Sequence, residues 1–254
     1  MPTALIGYTG FVGSNLNAQY SFDDLYNSKN IETIRGKEYE LVVCSGARAE
    51  KWIANQNPEN DLKNTQLLID CLKQTKAARC ILISTIDVYP HPFNVDEDTP
   101  IPPENHAYGK NRFILERFVN TTFDSLIIRL PGLFGTGLKK NAVYDFLHNN
   151  QIDKIHAHSV YQFYYLKNLW KDIAIAQNAK LPLVNFATEP VSIKEVAAHA
   201  FGIDFTNEPS YPPASYDFKT KYSALYKGKN GYIYSKEQIL ASLNEYVVSE
   251  GWQR

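Results

Sequence analysis

The sequence predicts an α/β protein built on a doubly wound parallel sheet, with a smaller region toward its C-terminus. Three observations carry this. An apolar run, Thr3-Ala4-Leu5-Ile6, enters a glycine-rich turn, Gly7-Tyr8-Thr9-Gly10-Phe11-Val12-Gly13, and then a helical stretch over 14–20. Continuous apolar runs recur at 41–45, 80–84 and 126–130, the pattern of strands buried on both faces. Helical patterns separate them, as a parallel sheet covered on both sides requires.

The first strand, turn and helix form the arrangement that binds a pyrophosphate. Glycines let the chain turn tightly and let backbone N–H groups approach the phosphates. The helix N-terminus adds unpaired donors and a partial positive charge. Gly7, Tyr8, Thr9, Gly10, Phe11, Val12 and Gly13 are therefore candidate dinucleotide-binding residues, and the sheet is of Rossmann type. Between Tyr20 and Leu41 about twenty residues must hold the second strand and its connection, a tight fit for a full βα unit, so this crossover is expected to be trimmed. After the strand at 41–45, Pro58 suits the first turn of a helix whose apolar face is Leu62, Leu68, Ile69 and Leu72. The strand at 80–84 leads to a loop holding Pro90, Pro92, Pro100, Pro102 and Pro103. A helix is expected over 107–122, where Phe113, Ile114, Arg117 and Phe118 mix apolar and charged faces. The strand at 126–130 ends at Pro131-Gly132. Beyond it, 141–150, 168–179, 192–201 and 235–248 read as helices, and 152–155 and 183–186 as short strands. The expected division is a dinucleotide-binding core over 1–130 and a mainly substrate-facing region over 131–254, with elements returning to the core.

Composition narrows the class. A formal net charge of −1 gives no bulk electrostatic case for nucleic acid or a membrane surface, and no run approaches the length of a bilayer span. Three irregularly spaced cysteines, Cys44, Cys71 and Cys80, speak for a reducing, cytoplasmic compartment and against a disulfide framework or a structural zinc site. His91, His106, His156 and His158 have no metal-ligand spacing, so no metal is expected.

The chemistry gathers at the carboxyl end of the 80–84 strand, the edge where open α/β sheets bind ligands. There stand Ser84-Thr85-Ile86-Asp87-Val88-Tyr89, and further on Tyr108-Gly109-Lys110-Asn111-Arg112 opens a helix. Taken singly, Thr85 reads as a strand-end hydroxyl and Tyr108 as a surface tyrosine; in order behind a glycine turn they read as a site. Together with Arg129-Leu130-Pro131-Gly132-Leu133-Phe134-Gly135 and Glu189-Pro190-Val191-Ser192-Ile193-Lys194-Glu195, they make the chain resemble the extended short-chain dehydrogenase/reductase family. That family includes sugar-nucleotide epimerases, dehydratases and reductases. The resemblance spans most of the chain, and the short stretch before the third strand is more similar to the compact reductases.

The resemblance implies a nucleotide-sugar substrate, a nicotinamide dinucleotide and hydride transfer. Tyr108 would exchange a proton with the substrate oxygen, and Thr85 would hold that oxygen. The family carries lysine four residues after the tyrosine; this chain has Arg112. Arginine keeps the charge and the ribose hydrogen bonds and can lower the tyrosine pKa, but it does not release a proton near neutral pH. Lys110 points to another face. A second reading therefore stands beside the enzyme: a dinucleotide-binding sensor or scaffold without turnover. Asp87 aligns with the base of family dehydratases, but Ile86 stands where their middle acid belongs, so elimination is disfavoured. Asp87 is either a proton shuttle or an aspartate bonded to loop backbone.

An aspartate ending the second strand, Asp23 or Asp24, would favour NAD; Ser28 and Lys29, following the cofactor-binding candidate Asn27, would instead hold a 2′-phosphate by hydroxyl and charge, or the stretch is a plain polar turn. The expectation is NADP over NAD. Ser45, Gly46 and Ala47, with Arg48, are placed near the nicotinamide ribose. Lys51 and Trp52 are candidates to face substrate. Arg129 meets either a phosphate or an ion-pair partner. A homodimer through the helices near 58–77 and 107–122 is implied by the resemblance.

Overall fold

The computed structural model describes residues 1–253, which form two compact units. The first comprises Met1–His91, Thr99–Leu130 and Leu169–Asn185; the second comprises Pro92–Asp98, Pro131–Asn168 and the chain from Phe186 onward. In chain order the first unit holds β1 (Thr3–Ile6), α1 (Phe11–Gln19), β2 (Asp24–Tyr26), β3 (Glu38–Cys44), α2 (Lys51–Gln56), α3 (Pro58–Leu72), β4 (Lys76–Thr85), α4 (Ala107–Thr122) and β5 (Ser125–Leu130). The second unit takes β6 (Gly132–Phe134), α5 (Ala142–His148), β7 (Val160–Tyr161) and β8 (Phe163–Tyr165). The chain then returns α6 (Leu169–Asn178) and β9 (Leu183–Asn185) to the first unit. It ends in the second with β10 (Val191–Ser192), α7 (Ile193–Val196) and α8 (Lys236–Ser249).

The predicted fold class is the observed one. The first unit is a six-stranded sheet in the order β2-β1-β3-β4-β5-β9, parallel at every pairing. The chain leaves β1 toward β2 and then crosses to β3 on the other side, so the strand order reverses at β1, the place where doubly wound sheets open a ligand crevice at their carboxyl ends. All six residues of β5 and the stretch 80–84 of β4 are buried. Each large aliphatic side chain there contributes about 1.5–3 kcal/mol by burial. Helix α3 brings Leu68, Ile69 and Leu72, and α4 brings Leu115 and Val119, onto a core with Ile6, Val42, Cys44, Cys80 and Leu82. All three cysteines are buried thiols, and burial pushes Cys44 up to about 11.

Four expectations are corrected. Helix α1 begins at Phe11, inside the glycine motif rather than after it. Leu62 lies outside the buried face of α3, 43% exposed, because the face continues through Asp61 and Thr65. Asp23 and Asp24 stand at the start of β2, not at its ligand-binding end. Asp23 accepts from the Thr3 N–H and hydroxyl, and Asp24 accepts from Tyr39 and Lys37. Residues 152–154 form a 3₁₀ turn instead of a strand, since Asn149 and Gln151 take left-handed backbone conformations on either side of Asn150 and turn the chain too tightly to extend. As expected, the β2–β3 connection is trimmed, to the single 3₁₀ turn at Ile31–Ile34.

The second unit is held by short pairings, β6 parallel to β8 and β7 antiparallel to β10. Phe134 stacks on Tyr165 with centroids 4.7 Å apart. The buried Gln162 amide donates to the carbonyls of Thr188 and Phe218 and accepts from the Phe218 N–H. The segment 92–98 is stitched to 217–221 by main-chain bonds, Asn94 N–H to the Asp217 carbonyl and Lys219 N–H to the Val95 carbonyl. Helices α7 and α8 each begin with a reciprocal capping box, Ser192 with Glu195 and Ser235 with Gln238. Among the described residues no helix is long and apolar enough to cross a membrane.

Candidate active site

The glycine turn shows why its residues are glycine. Gly7 has φ +90°, and a Cβ there would lie 2.5 Å from the Ser45 carbonyl oxygen; a Cβ at Gly13 would overlap the Gly7 carbonyl. The turn, the start of α1 and the loop after β3 are thus packed closely, which also places Ser45 and Gly46 against the turn, while Ala47 packs on the hydrophobic core. Ser45 Oγ donates to the Ile6 carbonyl. No side chain caps the N-terminus of α1, and its first turn carries no acidic residue. A cradle in which a Cβ would collide and a helix end left to an outside anion fit the pyrophosphate of a dinucleotide. At the end of β2, Asn27 donates to the Tyr8 hydroxyl at 3.3 Å and accepts from the Lys29 N–H. Ser28 and Lys29 are exposed on this turn.

Two strands away from β1, the end of β4 carries Thr85 and the start of α4 carries Tyr108. A Cβ on Gly109 would overlap the Asp87 carbonyl oxygen, so glycine lets α4 begin directly against the loop after β4. Asn105 Nδ2 ties that loop down by donating to the carbonyls of Asp87 and Val88. His106 caps α4, its Nδ1 accepting the Gly109 N–H at 3.0 Å, while its Nε2 is buried without a partner. Burial first, and then the Lys51 charge, lower the His106 pKa, so the ring is neutral with its proton on Nε2. The Tyr108 N–H is received by the Asn55 side chain of α2.

Tyr108 is buried, 7% exposed. Burial raises its pKa; the Arg112 charge opposes this, Asp87 reinforces it, and hydrogen bonding with Thr85 and Arg112 also opposes it, leaving a net rise. Arg112 Cζ lies 4.5 Å from the Tyr108 ring centroid, a cation–π spacing. The guanidinium is itself buried and paired in two-pronged fashion with Asp61 of α3, Nη2 to Oδ1 at 2.9 Å and Nη1 to Oδ2 at 3.1 Å. It also donates to the Thr65 hydroxyl and the Arg48 carbonyl. Asp87 receives Lys51 Nζ at 2.8 Å, and Thr85 Oγ1 accepts the Asp87 N–H.

The structure therefore brings Thr85, Tyr108, Arg112, Asp87 and Lys51 together on the first unit. Trp52 is 71% exposed on α2. Arg129 meets an ion-pair partner: Nη2 lies 2.7 Å from Glu116. Asp61, Asn55, Asn105 and His106 join the site without any sequence motif that marks them. Asp61 carried one usable signal, an acid three residues after Pro58 on a face that otherwise reads as apolar.

No family model matches this chain, and no curated protein matches its sequence. Solved structures share its fold. MoeE5 in complex with UDP-glucose and NAD is 15% identical, with 98% of this chain and 99% of that one covered at a TM-score of 0.73. A dTDP-4-dehydrorhamnose reductase from Clostridium acetobutylicum is 18% identical, covering 98% and 99% at 0.69. RMD from Pseudomonas aeruginosa, complexed with NADPH, is 15% identical, covering 98% and 98% at 0.72.

Proposed function

We propose that this chain is an extended short-chain dehydrogenase/reductase that moves hydride between a nicotinamide dinucleotide and the sugar of a nucleotide-activated sugar, as a ketone reductase or an epimerase. One observation carries the reading: Thr85 and Tyr108 meet side by side at the carboxyl edge of the sheet that also bears the glycine cradle, two strands apart. Two of the structures that share the fold were solved with such ligands, MoeE5 with NAD and UDP-glucose and RMD with NADPH, which supports the same class of ligands here.

In this reading the backbone of residues 7–13 and the start of α1 hold the pyrophosphate, and Ser45, Gly46 and Ala47 line the ribose side. The bound nicotinamide supplies or accepts hydride. Thr85 orients the substrate oxygen, and Tyr108 gives or takes its proton. Arg112 holds positive charge against the Tyr108 ring, and Asp87, tied to Lys51, stands where a shuttle for a carbon-bound proton would act. Ser28 and Lys29, exposed on the turn that Asn27 opens, favour the 2′-phosphate of NADP over NAD. Two copies associate through α3 and α4, whose outer surfaces expose Leu62, Leu67 and Ile114.

The deciding experiment offers NADPH and a 4-keto nucleotide sugar to the wild type and to Tyr108→Phe. The expected result is reduction by the wild type, a loss of about 10²–10⁴-fold in the variant, and equal NADPH binding by both. Binding without any turnover by the wild type would instead support the sensor or scaffold, the reading that Arg112 in place of lysine favours. NADH binding more tightly than NADPH overturns the cofactor assignment, and a monomer mass by light scattering overturns the dimer. Exchange of deuterium into the substrate C–H that persists unchanged in Asp87→Asn removes the shuttle.

A further inference from the structure

We propose that Asp61 is a positioning residue of this site: it clamps Arg112 against the Tyr108 ring, offsets the guanidinium charge, and thereby holds Tyr108 as a proton donor rather than a base.

The geometry is specific. Asp61 lies on α3, far from Tyr108 in sequence, yet both of its oxygens are spent on Arg112 and one also receives Asn111 Nδ2 at 2.8 Å. Asp61 and Arg112 are 6% and 3% exposed, so solvent screens their pairing little. A two-pronged carboxylate fixes the plane of a guanidinium, and Thr65 and the Arg48 carbonyl lock the remaining terminal donors. The cation over the Tyr108 ring is therefore half of a neutral pair. An arginine standing alone at this distance would favour phenolate; one neutralised by a buried carboxylate does so far less.

The other charged and titratable groups facing Tyr108 do not restore that pull. From the turn after β4, Asp87 opposes phenolate. From α2, Lys51 is held by Asp87 at 2.8 Å. At the head of α4, His106 is neutral. Burial then decides the outcome, and the phenol keeps its proton.

The catalytic consequence rests on the hydride-transfer reading, while the electrostatic claim does not. When a carbonyl is reduced, its carbon gains hydride from the reduced nicotinamide and the C=O π pair moves onto oxygen. That oxygen takes the Tyr108 proton, leaving a phenolate that water re-protonates. A tyrosine that begins protonated suits this direction over alcohol oxidation, which needs phenolate at the start.

The test uses the full chain without cofactor or sugar, isotope-labelled at tyrosine Cζ, with the Tyr108 resonance assigned by its loss in Tyr108→Phe. Its titration midpoint is expected above the ordinary tyrosine value of about 10 in the wild type, and lower by about one pH unit or more in Asp61→Asn, where Arg112 acts uncompensated. The double variant Asp61→Asn/Arg112→Gln carries no buried unpaired charge and reads the same balance if the single variant does not fold. Its midpoint is expected to stay close to that of the wild type. An unshifted midpoint in Asp61→Asn, or a rise of about one unit in the double variant, overturns the proposal. Absence of sugar reduction would leave these midpoints untouched, so the two readings fail separately.

Discussion

Helix α4 carries two buried arginine–carboxylate pairs, and they are built to different ends. At its C-terminal half Glu116 meets Arg129 of β5; at its N-terminal half Arg112 meets Asp61 of α3. Both pairs are almost fully buried, and both guanidinium groups lie over a tyrosine ring, at 5.1 Å for Tyr89 and 4.5 Å for Tyr108. The Glu116 pair is closed. Arg129 spends Nε and Nη2 on Glu116 and Nη1 on the Tyr89 hydroxyl, and Ser84 Oγ donates to Glu116 at 2.6 Å. The Asp61 pair is open at its edge: Arg112 Nε and, at the N-cap of the same helix, His106 Nε2 are buried without partners. A structure satisfies its buried donors unless something else is meant to do so. The closed pair locks α4 onto β4 and β5, while the open one leaves polar capacity beside Tyr108.

The largest test of this difference is at the closed pair. Glu116→Ala leaves the Arg129 charge buried with only Tyr89 for company and is expected to cost about 3–5 kcal/mol, read as a lower urea midpoint with an unchanged slope. Asp61→Asn also leaves a buried guanidinium uncompensated, but is expected to cost less, near the low end of that range at about 3 kcal/mol, because the amide oxygen still accepts and Thr65 and the Arg48 carbonyl remain. Equal losses in the two would erase the distinction. Gly13→Ala forces a Cβ into the Gly7 carbonyl, and overpacking of this kind costs about 1–3 kcal/mol. It is expected to abolish NADPH binding, as followed by nucleotide fluorescence, while the closed pair stays intact.

At the open end the effects are smaller and depend on pH. His106 binds its proton less readily in the folded chain than the ordinary value of about 6.5, because of burial and then the Lys51 charge. The unfolded chain therefore binds more protons, so stability is intact above that value and falls as the pH drops below it. His106→Asn retains an N-cap acceptor and is expected to flatten this acid-side loss in urea midpoints measured across that range. An identical slope in both proteins would place the titration elsewhere. Tyr108→Phe is expected to shift the urea midpoint least of all, since the ring and its packing are kept.

The parallel sheet was legible because continuous apolar strands and a glycine turn are local signals; 41–45, 80–84 and 126–130 need no partner to be recognised. The order of Thr85 and Tyr108 was equally local. Asp61 was not. Its partner lies on another helix, and on the pattern of α3 it reads as a gap in an apolar face, with Leu62 taken in its place. The 152–154 turn was missed for the same reason, since left-handed conformations at Asn149 and Gln151 leave little trace in hydropathy.

The α/β class, the glycine turn and the two hydroxyls at the sheet edge are readable from the chain alone, because periodicity, turn chemistry and short motifs are local. The surroundings of Tyr108 came from contacts between helices distant in the chain. Whether the arginine four residues later acts as a free cation or as half of a neutral pair depends on a carboxylate from α3, and burial strengthens that pairing enough to matter.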